Sequence, residues 1–386
     1  AVNRPIVKRA ALSGSREKPL NTTLRAVSIG IQANEAVLVM GQPGGGKTAT
    51  IVAICRELGR HCEVITPSNR EPADIGGYPY PDLERKIMRF LPPEFAARLV
   101  EAKNGVLFID EMTNLPRSLQ AVCLRLILDK VAGDVPLPIT TAVIAAANPP
   151  ESAAEGHDLS APLANRLCHL TWDLPVADWA DAAIAGFPNP SVPRLPTSWS
   201  DRIPLSTASV AAYLRHRPQA ANVMPVDTSK RGEPWPSYRT WTVASRLAAA
   251  AQSAGDGDAE MLLIGGCVGP GHAAEYLTWR RSLDLPDPEW LLAPPSKFEL
   301  PKRGAQQFAV LAAGASATLA KLTKERWAAA WDIMGSAASQ GAKDIAAVAV
   351  RALGTGLKQG MSVPSNKVMA PFIDILKRAG LMGATS

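Results

Sequence analysis

The chain has 386 residues, of which 47% are apolar and 20% charged, with a net charge of +6. That length supports two or three domains and a large buried core, and the composition is that of an ordinary folded protein. No apolar run approaches the ~20 residues that span a bilayer, and the first thirty residues lack the apolar stretch of a signal peptide. A cytoplasmic protein without membrane segments is therefore expected. Cys55, Cys62, Cys123, Cys168 and Cys267 are odd in number and scattered, with no Cys-x-x-Cys. They read as reduced core residues. His61 and His169 adjoin cysteines, but no third or fourth ligand stands at useful spacing for zinc.

Residues 1–27 form a basic arm: the first forty residues carry Arg4, Lys8, Arg9, Arg16, Lys18 and Arg25 against Glu17 and Glu35. Such an arm either touches nucleic acid or an acidic partner, or is a solvated terminus. The apolar run Val37-Leu38-Val39-Met40 leads into Gly41-Gln42-Pro43-Gly44-Gly45-Gly46-Lys47-Thr48, a full Gly-x-x-x-x-Gly-Lys-Thr phosphate-binding loop. Glycines let the chain curl so that several N–H groups converge on a polyphosphate. Lys47 then reaches the β- and γ-phosphates and the Thr48 hydroxyl meets Mg²⁺, at the start of a helix expected over Ala49 to Leu58.

A second strand is expected at Cys62 to Thr66 and a third at Gly105 to Ile109, running straight into Asp110-Glu111. Ligands of open parallel sheets bind at such carboxyl ends. Asp110 suits the Mg²⁺ water shell, and Glu111 suits polarising an attacking water. Almost forty residues between these strands exceed a plain connection. An insert near 70–95 carries Tyr78 and Tyr80, which form either an aromatic loop or a packed turn. Ala132 to Pro136 reads as a hairpin turn. A fourth strand, Thr141 to Ala147, ends at Asn148, which either senses the γ-phosphate or terminates the strand. Arg166 stands just before a fifth strand, Cys168 to Thr171, and is not needed in its own pocket, as a trans-acting arginine requires.

Phe187 to Pro204 contains Pro188, Pro190, Pro193, Pro196 and Pro204, which can sustain neither helix nor central strand. It reads as a linker over 187–204. Ala-rich stretches at Thr242 to Ala254, Arg303 to Leu322 and Lys324 to Ser339 favour helix. An all-helical lid over 205–285 and a helical region over 286–386 are expected, parted by Pro286, Pro288, Pro294, Pro295 and Pro301. Trp327 and Trp331 share one helix face, which meets either a partner or the core.

The order of these motifs resembles an AAA+ ATPase of the MoxR type. Gly105 to Pro116, Ala146-Ala147-Asn148-Pro149-Pro150, Pro162-Leu163-Ala164-Asn165-Arg166 and Pro236-Ser237-Tyr238-Arg239-Thr240-Trp241 carry the likeness, which is good from about Ile29 to Ala250 and thin beyond. The resemblance implies an α/β fold: a P-loop AAA+ core with a five-stranded, mostly parallel sheet flanked by helices, then the helical lid. It implies that Gly41 to Thr48, with Ala49, bind ATP, and that Thr48 and Asp110 serve Mg²⁺. It assigns Glu111 to catalysis and Asn148 to the first sensor. It makes Arg166 the finger reaching the γ-phosphate held by the next subunit, and Arg239 a second sensor closing over the same nucleotide. MoxR-like proteins carry an insertion in their second helix, for which Gly76 to Arg89 is the counterpart.

The expected function is ATP-driven remodelling of a protein client by a homo-oligomeric, hexameric ring, with a separate von Willebrand factor A domain polypeptide as partner. The Asp-x-Ser-x-Ser signature of that domain is absent from this chain. A nucleic-acid-stimulated motor or clamp is the alternative, drawn from the basic arm but lacking a recognisable nucleic-acid module. A nucleotide-gated scaffold is disfavoured by the intact Lys47, Asp110, Glu111 and Arg166.

Overall fold

The computed structural model describes residues 21–149, 152, 158–283, 288–293 and 298–381. Residues 1–20 of the basic arm lie outside the described residues, as do Pro150, Pro286, Pro294 and Pro295. Residues counted with the arm from Thr22 onward are helical. Helix α1 (Thr22–Gln32) is capped by the Asn21 side chain, which accepts from the Thr23 N–H at 2.8 Å. It buries Leu24, Val27 and Ile31 against the sheet and the lid.

Strand β1 (Val37–Met40) leads through the glycine loop into α2 (Lys47–Glu57). That helix starts two residues earlier than expected, because Gly46 is left-handed at φ 73° and turns the chain directly into Lys47. Strand β2 (His61–Ile65) is shifted by one residue from the expected Cys62 to Thr66. The insert is ordered: α3 (Pro72–Gly76) precedes an antiparallel hairpin of β3 (Tyr78–Asp82) and β4 (Ile87–Leu91), and α4 (Glu94–Ala102) follows. Tyr78 and Tyr80 thus sit on a strand, opposite Leu91 and Arg89. Next come β5 (Gly105–Ile109), α5 (Arg117–Leu128) and the short hairpin of β6 (Val131–Ala132) and β7 (Val135–Pro136). The two hairpins stand against each other: the Gly133 N–H donates to Gly76 O at 2.9 Å, and a Cβ on Gly77 would lie 2.7 Å from the Gly133 Cα.

Strand β8 (Ala142–Ala147), the single-turn helix α6 (Ala161–Ala164), β9 (Cys168–Thr171) and α7 (Val176–Ile184) complete the α/β part. The five-stranded sheet has the order β2-β5-β8-β1-β9, and all four pairings are parallel. Apolar residues continue without alternation along the inner strands because both faces are covered. Val37, Val39, Phe108 and Ile144 face α1, α2 and the lid, whereas Leu38, Leu107, Ile109 and Val143 face α4 and α5.

Helix begins inside the linker expected over 187–204, with a short turn at Trp199–Arg202 and Pro204 accepted in the first turn of the next helix; most described residues beyond are helical. Helices α8 (Ile203–His216), α9 (Tyr238–Ser253), α10 (Gly257–Val268) and α11 (Pro270–Ser282) enclose Tyr213, Trp241 and Tyr276, with ring centroids 5.3 to 5.7 Å apart. Beyond α12 (Pro288–Leu292), helices α13 (Gly304–Ala320), α14 (Lys324–Ser339), α15 (Lys343–Lys358), α16 (Asn366–Met369) and α17 (Ile373–Arg378) build a third core. Trp327 and Trp331 are buried inside it, edge to face at 5.7 Å. They belong to the core and are closed to a partner. Among the described residues no helix is long and apolar enough to cross a membrane.

The lid is seated on the sheet at Gly266 of α10, where an added Cβ would lie 2.4 Å from His169 O and 2.8 Å from Cys168 Sγ. Backbone cannot yield cheaply there, so Gly266→Ala should destabilise the fold by about 1–3 kcal/mol in denaturant unfolding. Gly271→Ala, which meets nothing within 4 Å, should leave stability within ~1 kcal/mol of the parent.

Candidate nucleotide site

Three adjacent strands end at one edge of the sheet, and each delivers a polar group. Strand β1 runs into the glycine loop, its continuation held by Gly41 N–H donating to Ala147 O at 3.1 Å. Gly44 and Gly46 are left-handed, with φ 76° and 73°. No side chain caps α2, which leaves the first N–H groups of a helix free for an anion, where the helix dipole also favours negative charge. Gln42, Pro43, Gly44, Thr48 and Ala49 are exposed.

Lys47 is buried, and its ammonium donates to Gly41 O at 2.7 Å, Gln42 O at 2.9 Å and Asn148 Oδ1 at 2.8 Å. Its three N–H bonds are thereby filled by neutral oxygens. Burial pulls its pKa down against the opposing charge of Asp110. A phosphate oxygen entering the loop offers this cation a charged acceptor in place of a neutral one.

The Thr48 hydroxyl donates to Asp110 Oδ2 at 2.6 Å, and Asp110 Oδ1 accepts the Glu111 N–H at 2.9 Å. Glu111 is left-handed at φ 58°, ψ 40°, a conformation that costs a non-glycine residue about 1–3 kcal/mol and recurs at functional sites. Ser68, just past β2, holds its carboxylate by an O–H···O bond of 2.8 Å to Oε2. Asn148 is fixed through its backbone, whose carbonyl accepts from Thr113 Oγ1 at 2.9 Å. Hard oxygen donors paired beside an uncapped glycine loop fit Mg²⁺ and a polyphosphate.

Arg166 and Arg239 are not in this group. They line a separate cavity of about 380 Å³ with Lys130, Arg246, Glu35 and Ile139. Ala36, Thr140 and Arg166 lie just before β1, β8 and β9, so this cavity opens at the amino ends of the strands. The loop is at their carboxyl ends. Four residues of β1 separate the two edges, about 13 Å at ~3.3 Å per residue. Arg246 is paired with Glu35, and Lys130 donates to Ile139 O at 2.9 Å and Thr141 O at 2.7 Å. The Arg166 guanidinium donates from Nη1 to Pro162 O, whereas its buried Nε meets no acceptor. Burial, and then the Arg239 charge, lower its pKa.

Two residues absent from the sequence reading shape the site. Ser68 restrains Glu111. Trp172, one residue past β9, donates from its indole N–H to Gly45 O at 2.8 Å and packs on Gly41. Because carbonyl and N–H of a trans peptide point oppositely, anchoring Gly45 O outward turns the Gly46 N–H toward the loop interior. The available signal was a tryptophan directly after the fifth strand, but its partner is 127 residues away.

Residues 37–156 match the profile of the AAA family, ATPases associated with various cellular activities. A stretch of 94 residues is 30% identical to Cell division control protein 48 homolog B of Arabidopsis thaliana, covering 24% of this chain and 15% of that protein. The chain thus spans about a seventh of that relative's length. A candidate ATPase from Cytophaga hutchinsonii ATCC 33406, solved at 2.00 Å, superposes with a TM-score of 0.35 and 17% identity over 65% of this chain and 78% of its own.

Trp172→Phe keeps the packing and removes the donor. Loss of one hydrogen bond of ~1 kcal/mol should weaken ADP binding roughly fivefold in calorimetric titration, with little change in melting temperature.

Proposed function

With an AAA-family ATPase domain in residues 37–156, we propose that this chain is a MoxR-type AAA+ ATPase whose catalytic sites are completed between subunits of a homo-oligomeric, hexameric ring. The observation that carries the proposal is the placement of Arg166 and Arg239 in one cavity at the opposite edge of the sheet from Lys47. A rigid sheet keeps these arginines from the phosphates of their own loop, whereas a head-to-tail neighbour presents them to it.

In this reading Gly41 to Ala49 bind the triphosphate of ATP through backbone N–H groups, and Lys47 neutralises the β- and γ-oxygens. Thr48 and Asp110 would hold Mg²⁺, which would offset the negative charge of the phosphates. Glu111 accepts a proton from, and orients, the attacking water, and Asn148 fixes that water and the Lys47 ammonium. Arg166 and Arg239 of the neighbour meet the charge developing on the transferred group. A cytoplasmic ring of this kind couples turnover to remodelling of a protein client, working with a separate von Willebrand factor A domain polypeptide. In the competing nucleic-acid reading, turnover would rise with DNA or RNA and fall steeply with salt.

Particle mass and ATPase rate test the shared site together. Wild type should grow to a ring with ATP, and its turnover per subunit should rise with protein concentration. Glu111→Gln should retain ATP and hold the assembly, and Lys47→Ala should lose nucleotide. Arg166→Ala should lower turnover about 10³-fold or more with nucleotide affinity largely intact, and mixing it with Lys47→Ala should restore part of the rate. A persistent monomer with concentration-independent turnover would falsify the intersubunit site.

A further inference from the structure

None of the nine residues of helix α7 is buried. Val176, Trp179 and Ile184 are 82%, 53% and 89% exposed, and Phe187 just beyond is 60% exposed. The two aromatic side chains are set against each other. The helix ends with Gly186 N–H donating to Ala183 O at 3.1 Å and Phe187 N–H to Ala182 O at 2.7 Å. That turn sets Gly186 at φ 76° and Phe187 at φ 51°, and it brings the Phe187 ring edge to face with Trp179 at 6.2 Å. A left-handed phenylalanine is a strained choice. Here the strain fixes two aromatic rings on the outside of the protein, an arrangement that lowers the entropy lost on docking.

The partner follows from where α7 is rooted and from its charge. Only three residues separate its first turn from Trp172, whose indole is bonded to the glycine loop. The helix therefore flanks the edge of the molecule that receives the neighbour's arginines. Residues 173–193 carry Asp173, Asp178 and Asp181 and no Lys or Arg. The arginine cavity presents the opposite character: Lys130, Arg166, Arg239 and Arg246 line it, beside Leu128 and Ile139, which are 41% and 86% exposed.

We propose that α7 is a subunit contact, in which Trp179 and Phe187 of one copy pack against Leu128 and Ile139 at the mouth of the next copy's arginine cavity. The proposal presupposes the shared site argued above and adds the surface that brings its two halves into register. Aromatic anchors beside desolvated arginines are the usual centre of such contacts. The contact is heterologous, joining two different faces, so it propagates around a ring.

The test is a pairwise cross-link in the Glu111→Gln background with ATP and Mg²⁺. Proteins carrying Trp179→Cys or Ile139→Cys are treated singly and mixed with a short bismaleimide. Of the native cysteines only Cys62 is not fully buried. A covalent dimer formed only by the mixture is expected. In addition, Trp179→Ser with Phe187→Ser should raise the protein concentration needed for half-assembly by roughly tenfold or more, with the monomer's melting temperature unchanged because neither ring is buried. If rings form and Arg166→Ala is complemented by Lys47→Ala, yet no mixed dimer appears and the double variant assembles normally, α7 is not the contact and the shared site stands. If wild type does not assemble and mixing restores no turnover, both ideas fall.

Discussion

The pairing of β8 with β1 on one flank and β5 on the other is the constraint from which the site follows. Val37 opposite Ile144 and Phe108 opposite Ile144 lock three strands in one register. Their carboxyl ends therefore deliver the glycine loop, Asn148 and Asp110-Glu111 side by side. Lys47 meets Asn148 at 2.8 Å because its loop leaves β1 beside the strand that ends at Asn148, and the left-handed Gly44 and Gly46 turn the chain at that point. The same parallel register sends residues 36, 140 and 166 to the other edge. One arrangement thus gathers Lys47, Asn148 and Asp110-Glu111 at one edge and leaves Arg166 at the other.

Electrostatically the site is held in readiness. Lys47 is desolvated and satisfied by carbonyl oxygens, and Glu111 is held by Ser68 in a strained backbone; in the separate cavity at the other edge, the Arg166 Nε lacks an acceptor. The two cations have either weaker partners than an anion would be, as at Lys47, or an unfilled donor, as at Arg166.

Legibility in the sequence tracked the range of the interaction that fixes each element. Gly105 to Ile109 was readable to the residue, because a strand buried on both faces writes itself as an unbroken apolar run. Lys324 to Ser339 was readable from propensity alone, and the structure adds the Thr323 side chain as its cap. The start of α2 was misjudged by two residues, since the left-handed Gly46 that sets it is a backbone property. Tyr78 to Leu91 resisted a strand reading because Pro79 and Pro81 argue against one. Both are tolerated in a two-stranded ribbon that pairs along a single edge. Trp172 and Ser68 act through partners brought close by strand pairing alone, and nothing local announces them. The common cavity of Arg166 and Arg239 likewise needed the fold, because 73 residues separate them in sequence.

The abutment of Gly77 on Gly133 has a mechanical consequence. Two glycines in contact leave no side chains to compress, so the two hairpins behave as one stiff body fastened to the far end of α5. That helix begins just past the turn Met112–Asn114 behind Glu111 and runs for 12 residues, about 18 Å at 1.5 Å per residue. It is a lever with its short arm at the carboxylate and its load at the exposed ribbon of Tyr78, Leu83 and Met88. A tilt of ~10° at the near end displaces the far end by ~3 Å at that length. Any tilt of α5 would thus reach the ribbon as a displacement on the scale of a side chain.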